Sequence, residues 1–420
     1  MATIFMTRIQ IDKVRHLEGI EIPLSSKERK HLIFTGKNGS GKTSVLEAMQ
    51  TYMSFYQETY VSDQLDGRDQ HIKYWKDELK RLQIHENSEK YKIERIKAEK
   101  SLIDAEHQYE RYYAGLKIEF TSEADLFDAY HSNDFIMAYY EAERFYKPQI
   151  SDHVQKIELQ DKYSIDDKPS IQFVNYLVDL KVRQALAMAN KEPELAEEIG
   201  QWFERFEELL RVIFSDQNLR LCFDVNTYKF TILEENREPF GFDELSSGYA
   251  AIVDIIVDLM MRVEKRRFYE MQGIVLIDEI ETHLHIELQK NILPILTKIF
   301  PNIQFVCTTH SPFILNSIAN AVIFDLENKT LVEDGLEELS YEGVVEGYFK
   351  ADTLSNKLRR QFENYKELAQ KKDLSMEDLD KITNMEYYLD EIPDYLSLDF
   401  AAEYAKIKLM LHNREVEEND

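Results

Sequence analysis

Apolar and polar residues alternate over the first part of the chain, with apolar side chains at Ile4, Met6, Ile9 and Ile11 and again over residues 20–24. An alternation of period two is typical of strands with one buried face, so this stretch predicts a β-hairpin with its turn at residues 16–19. Consecutive apolar residues at 32–34 then end at a glycine-rich loop, and a helical pattern follows at 44–52. The sequence therefore predicts a buried strand that leads through a loop into a helix.

Farther along, the apolar spacing changes to the repeat of a helix and then mixes with short strand-like runs. Residues 52–113 are highly charged and helical, with a polar break at 85–88 that predicts two arms. The remaining predicted elements are strands at 116–120, 135–140, 273–277 and 303–307, a strand pair over 220–233, and helices over 171–214, 250–263, 286–300, 352–370 and 376–389. Strands that alternate with helices predict an α/β fold with a parallel sheet.

Composition places the chain among globular proteins. It has 420 residues, of which 44% are hydrophobic and 31% charged, enough for one large domain or two ordinary ones. No apolar run reaches the roughly 20 residues that a membrane helix needs, and the N-terminal residues lack a signal-peptide layout. Two cysteines, Cys222 and Cys307, cannot form a disulfide framework or a zinc site. We therefore expect a cytoplasmic protein without a membrane partner.

The charge pattern limits the interactions with nucleic acids. The formal net charge is −27, which argues against broad binding of duplex DNA. Residues 71–117 differ, because they carry 11 Lys and Arg against 9 Asp and Glu. This stretch fits either a local nucleic-acid or partner surface or an ordinary solvated helical face, and both interpretations stay open.

The glycine-rich loop has the G-x-x-x-x-G-K-[ST] pattern of a phosphate-binding loop, directly after a buried strand and before a helix. Glycines let the backbone fold so that its N–H groups converge on phosphates, the lysine adds a positive charge, and the threonine hydroxyl can bind Mg²⁺. The predicted nucleotide contacts are Gly36, Asn38, Gly39, Ser40, Gly41, Lys42, Thr43 and Ser44. Thr43 is also a predicted metal ligand.

Two acids follow the apolar strand at 273–277. A carboxylate at this strand end, beside the phosphate loop, can hold the Mg²⁺ shell through water, and we assign that role to Asp278. Glu279 would orient or deprotonate the water that attacks the γ-phosphate. The alternative is that the two acids belong to an ordinary strand end. The phosphate loop in the same chain favours the catalytic interpretation.

His310 follows the strand at 303–307 and can donate a hydrogen bond to a γ-phosphate oxygen or to the attacking water. A lone histidine is more often structural. Here, the stretch after Glu279 is long enough for one crossover helix and a neighbouring parallel strand, which would bring His310 to the same sheet edge. The spacing therefore favours a catalytic histidine.

A second helix begins in the segment Leu245-Ser246-Ser247-Gly248-Tyr249. Ser246, Gly248 and the neighbouring N–H groups suit an anion, and an ordinary helix cap has the same pattern. Because the phosphate loop already occupies one helix start, this one could serve the nucleotide of a facing subunit.

Together these motifs resemble the ABC-type ATPase head family, in the branch shared by SMC, RecF and OLD-type ATPases. The motifs are GKNGSGKT as Walker A, LSSGY as the signature, GIVLIDE as Walker B and THSP as the H-loop. The resemblance implies a P-loop NTPase sheet with helices on both faces, an N-terminal antiparallel β-subdomain, a helical insertion and a C-terminal helical extension. It also implies ATP and Mg²⁺ as cofactors, and a homodimer or higher oligomer in which Ser246 and Gly248 act in trans.

Within that branch, the segment Glu281-Thr282-His283-Leu284-His285 is similar to OLD-like proteins. The chain lacks long coiled-coil arms and a TOPRIM nuclease pattern, so it resembles stand-alone ATPases of bacterial antiphage systems of the Septu or PARIS kind. That resemblance implies an ATPase that regulates a separate nuclease or toxin; the alternative is a RecF-like DNA-repair ATPase that acts directly on DNA. The family's Q-loop glutamine has no clear counterpart, and Arg144 is a candidate for a nucleotide or interface contact.

These motifs divide the chain into five expected segments. They are the N-terminal lobe with Walker A (1–55), the charged helical insertion (56–115), a region of strands and helices (116–243), the lobe with signature, Walker B and H-loop (244–330), and the C-terminal helical extension (331–420).

Overall fold

The computed structural model describes residues 3–54, 61–83, 89–113, 115–144, 146–150, 153–235, 237–265, 271–333, 335–336, 343, 356–371, 374–390 and 403–411. The chain divides into two compact units, Met1–Glu338 and Leu339–Asp420. The five expected segments are a finer division and stay a prediction. The predicted break at 85–88 lies outside the described residues.

Strands and helices alternate along the larger unit, as the sequence pattern predicts. Its strands are β1 (Met6–Val14), β2 (Leu17–Pro23), β3 (His31–Thr35), β4 (Leu116–Phe120), β5 (Phe135–Tyr140), β6 (Arg220–Asp224), β7 (Lys229–Leu233), β8 (Gln272–Ile277), β9 (Ile303–Thr308), β10 (Ala321–Asp325) and β11 (Thr330–Val332). Its helices are α1 (Lys42–Ser54), α2 (Val61–Gln83), α3 (Glu89–Tyr113), α4 (Glu123–His131), α5 (Phe173–Ala189), α6 (Pro193–Phe214), α7 (Ser247–Glu264), α8 (Ile286–Ile299) and α9 (Pro312–Leu315).

A six-stranded sheet forms the centre of this unit, in the order β11-β10-β3-β9-β8-β5. All neighbouring pairs are parallel except β10 and β11. The carboxyl ends of β3, β8 and β9 therefore lie at one edge, which confirms the predicted α/β class. β9 lies between β3 and β8, so the strand that precedes Asp278 does not pair with the strand that precedes the phosphate loop.

The second sheet is antiparallel, with the order β2-β1-β4. Val14 pairs with Leu17, so the hairpin turn consists of Arg15 and His16 and begins earlier than the sequence suggested. Leu17 is the first residue of β2 rather than part of the turn, and its side chain is buried. β4 reaches this sheet from beyond the α2–α3 segment and completes the N-terminal β-subdomain.

Helix α1 contacts β1 and β4 of the antiparallel sheet and β8 and β9 of the six-stranded sheet. Apolar side chains from both sheets and from α1 form one buried cluster. A buried glutamine joins the two sheets directly, because Gln304 Oε1 accepts from Met6 N at 2.7 Å and Gln304 Nε2 donates to Met6 O at 3.2 Å. The start of α1, and with it the phosphate loop, is thus fixed between two packed layers.

Helix α7 is apolar on nearly every face, and its residues from Ala250 to Val263 are buried with one exception, Asp254. Such a helix belongs to the interior of a domain rather than its surface. One of its charged residues, Arg262, is 6% exposed and donates from Nε to Asp258 Oδ2 at 2.7 Å. Asp258 also accepts from the Tyr140 hydroxyl at 2.7 Å, which ties α7 to the end of β5.

The helical insertion consists of α2 and α3, which pack against each other. The smaller unit has α10 (Asn356–Ala369), α11 (Met376–Asp390) and a further helix, α12, over 403–411. Its buried cluster is formed by Phe362, Tyr365, Ala369, Ile382, Leu389, Tyr404 and Leu411. Among the described residues, no helix has both the length and the apolar character needed to cross a membrane.

Candidate functional site

The eight predicted phosphate contacts, residues 36 and 38–44, lie on the loop after β3 and on the first turn of α1. Gly36 has a φ of 133°, and a Cβ atom there would lie 2.8 Å from Ser40 Oγ. Gly41 has a φ of 98°, and a Cβ atom there would lie 2.8 Å from the Leu17 side chain. Glycine is therefore required at both positions, because a side chain would be strained and would collide with a neighbour.

Lys42 is the first residue of α1 and is 5% exposed. Its Nζ donates to the carbonyl oxygens of Gly36 at 3.0 Å and Lys37 at 3.3 Å. Burial lowers the pKa of Lys42, and the carboxylates of Glu279 and Glu281 act against that shift. The loop thus holds a cation that donates to neutral carbonyl groups, which phosphate oxygens can replace.

His310 is in direct contact with Lys42, and its Nε2 lies 2.6 Å from Lys42 Nζ. Because an ammonium group can only donate, His310 Nε2 is the acceptor. Burial lowers the pKa of His310, the charge of Lys42 lowers it further, and Glu281 opposes both effects. The imidazole is therefore neutral at neutral pH. The structure places the predicted His310 within hydrogen-bond distance of the predicted phosphate-binding lysine.

The two acids after β8 lie at the same edge of the sheet. Asp278 is 2% exposed, and its Oδ1 accepts from the Thr308 hydroxyl at 2.5 Å. The same hydroxyl oxygen accepts from Glu279 N at 2.7 Å. One threonine on β9 thus connects both predicted acids, which explains how acids on a strand that is not adjacent to β3 are held near the phosphate loop.

Glu279 departs from ordinary strand geometry. Its φ of 42° lies in the left-handed region, which non-glycine residues rarely adopt. Its Oε2 accepts from the Thr282 hydroxyl at 3.3 Å. A strained residue at a strand end, whose carboxylate raises the pKa of Lys42 and His310 against the effect of burial, is typical of a functional site.

Three further residues shape the site, and the sequence analysis gave them no role or a different one. Thr308 has the role just described. Glu281 Oε1 accepts the backbone N–H of His310, while its Oε2 is buried without a partner among the described residues. Arg144, a candidate nucleotide or interface contact, instead donates to backbone carbonyls, two of which belong to Asp278 and Glu279. The available signal was their position, because Glu281 begins the quoted segment that ends at His285 and Thr308 directly precedes the THSP motif.

Ser246 and Gly248 lie at the start of α7. Ser246 has the extended backbone of a helix cap, and its side chain makes no capping hydrogen bond. A Cβ atom on Gly248 would lie 2.9 Å from His283 O, so close backbone packing within the chain already requires glycine there. Within the described part of the chain, no hydrogen bond joins these two residues to Lys42, Asp278, Glu279 or His310. Their action on a nucleotide of a second copy stays a prediction.

The loop fits a ligand with phosphate groups. Besides Lys42, the hydroxyl oxygens of Thr35 and Ser40 are buried and lack partners among the described residues, so a polar ligand can satisfy them. In the same described ranges, no three His, Cys, Asp or Glu side chains form a group that could hold a metal ion. Mg²⁺ at phosphate sites takes most of its ligands from phosphate and water, so Thr43 and Asp278 fit as its protein ligands.

Comparison with known proteins gives the family. A family model described as "AAA domain, putative AbiEii toxin, Type IV TA system" matches residues 65–316, more than half of the chain. The chain belongs to this family. The matched region includes β8, β9 and the residues that follow them, and it begins after the phosphate loop.

Curated relatives match shorter parts of the chain. The Retron Ec83 probable ATPase of Escherichia coli is 32% identical over 160 residues, which are 36% of this chain and 30% of that protein. The Septu protein PtuA of Bacillus mycoides (strain KBAB4) is 40% identical over 99 residues, 21% of this chain and 14% of that one. This chain therefore spans less than a third of the length of these two relatives. The predicted resemblance to Septu-type ATPases is confirmed as a sequence similarity.

Among solved structures, an SMC head bound to the C-terminal winged-helix domain of ScpA aligns with a TM-score of 0.38 and 10% identity. The alignment covers 80% of this chain and 98% of that one.

Proposed function

We propose that this chain binds ATP with Mg²⁺ at the carboxyl edge of the six-stranded sheet and hydrolyses the γ-phosphate. The observation that carries the proposal is the buried Lys42 ammonium group, which contacts Gly36 O and His310 Nε2 inside a loop built of required glycines. Phosphate oxygens would replace those neutral acceptors and gain charge-assisted hydrogen bonds. The name of one relative, the Retron Ec83 probable ATPase, supports the same activity.

Each predicted residue then has one task. Lys42 and the loop N–H groups bind the β- and γ-phosphates, and Thr43 and Asp278 hold the metal shell. Mg²⁺, when bound, supplies positive charge that offsets the charge on the phosphate oxygens. Glu279 orients or deprotonates the attacking water, and His310 contacts a γ-phosphate oxygen or that water.

We further propose that the site is completed by Ser246 and Gly248 of a second copy. Among the described residues, neither forms a hydrogen bond with Lys42 of the same chain, and both lie at a helix start that suits an anion. The test mixes two inactive variants, Lys42→Ala and Ser246→Arg. When the subunits exchange at random, about half of the dimers are mixed, and each mixed dimer has one intact site out of two. Activity should therefore recover to roughly a quarter of the wild-type value.

A matched control mixes Lys42→Ala with Glu279→Gln. Both lesions then affect the same half of the composite site, so each site of the mixed dimer contains one lesion and no recovery is expected. If the first mixture stays as inactive as the second, the site does not require a second copy, and the proposal of ATP hydrolysis is unaffected.

For the biological role, we propose that ATP binding and hydrolysis regulate a separate effector, a nuclease or toxin, in antiphage defence. The similarity to retron and Septu proteins supports this role. The test is a pull-down of the Glu279→Gln variant from its native host in the presence of ATP. Recovery of a nuclease or toxin is the expected result, and recovery of nucleic acid without such a protein contradicts the proposal.

A further inference from the structure

Arg144 follows β5 and is 5% exposed. Its Nη1 donates to Glu141 O at 2.9 Å and to Asp278 O at 2.7 Å. Its Nη2 donates to Glu279 O at 3.0 Å and to Ile280 O at 3.2 Å. One guanidinium group therefore binds three consecutive carbonyl groups of the segment that includes both predicted acids.

The N–H groups of the same three residues are also bound. Asp278 N donates to Tyr140 O at 2.8 Å, and Ile280 N donates to Thr308 O at 3.1 Å. Glu279 N donates to the Thr308 hydroxyl. Residues 278–280 thus have every backbone polar group fixed, with β5 and β9 on the N–H side and Arg144 on the carbonyl side.

This arrangement bears directly on Glu279, whose backbone φ of 42° is unfavourable for a residue with a side chain. A strained conformation persists only where its surroundings fix it. The Glu279 carbonyl oxygen, whose position depends on this φ angle, accepts a hydrogen bond from Arg144 Nη2. Without that contact, only the hydrogen bond from Ile280 N to Thr308 O holds the peptide between Glu279 and Ile280, and a rotation of this peptide toward a less strained φ changes the direction of the Glu279 side chain.

Only arginine fits this role. Its planar fork provides separate N–H donors in a fixed geometry, whereas a lysine ammonium group is a point charge on a flexible stem. Nη1 and Nη2 donate to four protein carbonyls, so both are engaged within the chain, while the buried Nε has no hydrogen-bond partner among the described residues.

We propose that Arg144 is a positioning residue for hydrolysis, which holds the Glu279 carboxylate in the direction that catalysis needs. This inference rests on the proposed function, because it assigns to Arg144 an effect on the water-activating residue. In this proposal, Arg144 makes no contribution to nucleotide binding. Displacement of a catalytic group by about 1 Å can slow a reaction roughly 100-fold, and that is the effect expected when the fork is lost.

The test is a double-mutant cycle with Arg144→Lys, Glu279→Gln and the combination, measured as single-turnover ATP hydrolysis and as ATP affinity. We expect Arg144→Lys to slow hydrolysis about 100-fold in the wild-type background, with ATP affinity within about 3-fold. In the Glu279→Gln background the same change has almost no further effect, because the residue it positions is already disabled. An equal slowing in both backgrounds, or a matching loss of ATP affinity, overturns the proposal.

A matched control is Arg262→Lys, which alters another buried arginine that donates to backbone carbonyls, here of Met137 and Ser164. Its effect on hydrolysis is expected to be similar in both Glu279 backgrounds. Where Arg144→Lys melts far below wild type, Arg144→Gln is the second variant, since its amide keeps a neutral donor. If wild type itself shows no hydrolysis, the proposed function fails; if wild type is active and Arg144→Lys equals it, only this inference fails.

Discussion

Thr308→Val tests the link between the two predicted acids. Thr308 is fully buried at the end of β9, and valine has nearly the same shape but lacks the hydroxyl. The change removes the hydrogen bond to Asp278 Oδ1 and the one from Glu279 N, at 2.5 and 2.7 Å. The Asp278 carboxylate then stays buried, and Glu279 N partly buried, without that hydroxyl as a hydrogen-bonding partner.

The expected cost follows from those two groups. A buried polar group that loses its partner costs about 1–3 kcal/mol, so for two groups the free energy of unfolding should fall by roughly 2–6 kcal/mol. The control Thr308→Ser keeps the hydroxyl and loses one methyl group, which costs about 1 kcal/mol. Urea denaturation of wild type and both variants gives the difference.

Hydrolysis provides the second measurement on the same variants. We expect Thr308→Val to hydrolyse ATP at least about 10-fold more slowly than Thr308→Ser, because both acids lose their common anchor. If valine and serine variants unfold at the same urea concentration and turn over ATP at equal rates, the hydroxyl does not organise the site and the reasoning is refuted.

Two further predictions concern stability. Burial lowers the pKa of His31 to about 4, and its Nδ1 accepts from Phe305 N. Between pH 6.5 and about 4 the unfolded chain binds a proton that folded His31 does not, so this residue's contribution to stability falls with falling pH, by about 3 kcal/mol in all. His31→Gln removes this pH-dependent contribution. The difference in the free energy of unfolding between the variant and wild type, measured by urea titration, should therefore narrow as the pH drops. Gly115→Ala places a Cβ atom 1.8 Å from Lys13 O at a φ of 78°. The control is Gly19→Ala, at a φ of 62° with open space around the new Cβ atom. In the same urea titrations, Gly115→Ala should lower the free energy of unfolding by at least about 2 kcal/mol more than Gly19→Ala.

Much of the fold could be predicted from local pattern. The strands at 116–120 and 135–140 and the helix from 286 have their predicted positions, because each has a clear period and a polar or glycine boundary. The order of the strands could not be predicted this way. The pairing of strands depends on packing between residues far apart in the chain. The position of β9 between β3 and β8 is a result of such packing.

The same distinction applies to the site. Lys42 and His310 were predicted from motifs, and the structure brings them within 2.6 Å. The role of Arg144 could not be predicted from motifs, because its carbonyl acceptors at 278–280 lie more than 130 residues away in the chain. Every residue has a backbone carbonyl, so the sequence does not indicate which carbonyls an arginine binds. Motifs report the side chains that face a ligand, while the contacts that hold them depend on the completed fold.

The most direct test of the central claim is ATP turnover by wild type, Lys42→Ala and Glu279→Gln, together with ATP binding by each. We predict that wild type hydrolyses ATP in the presence of Mg²⁺. Glu279→Gln should bind ATP as tightly as wild type and hydrolyse it at least about 100-fold more slowly, and Lys42→Ala should lose binding. Equal turnover by wild type and Glu279→Gln would contradict the account.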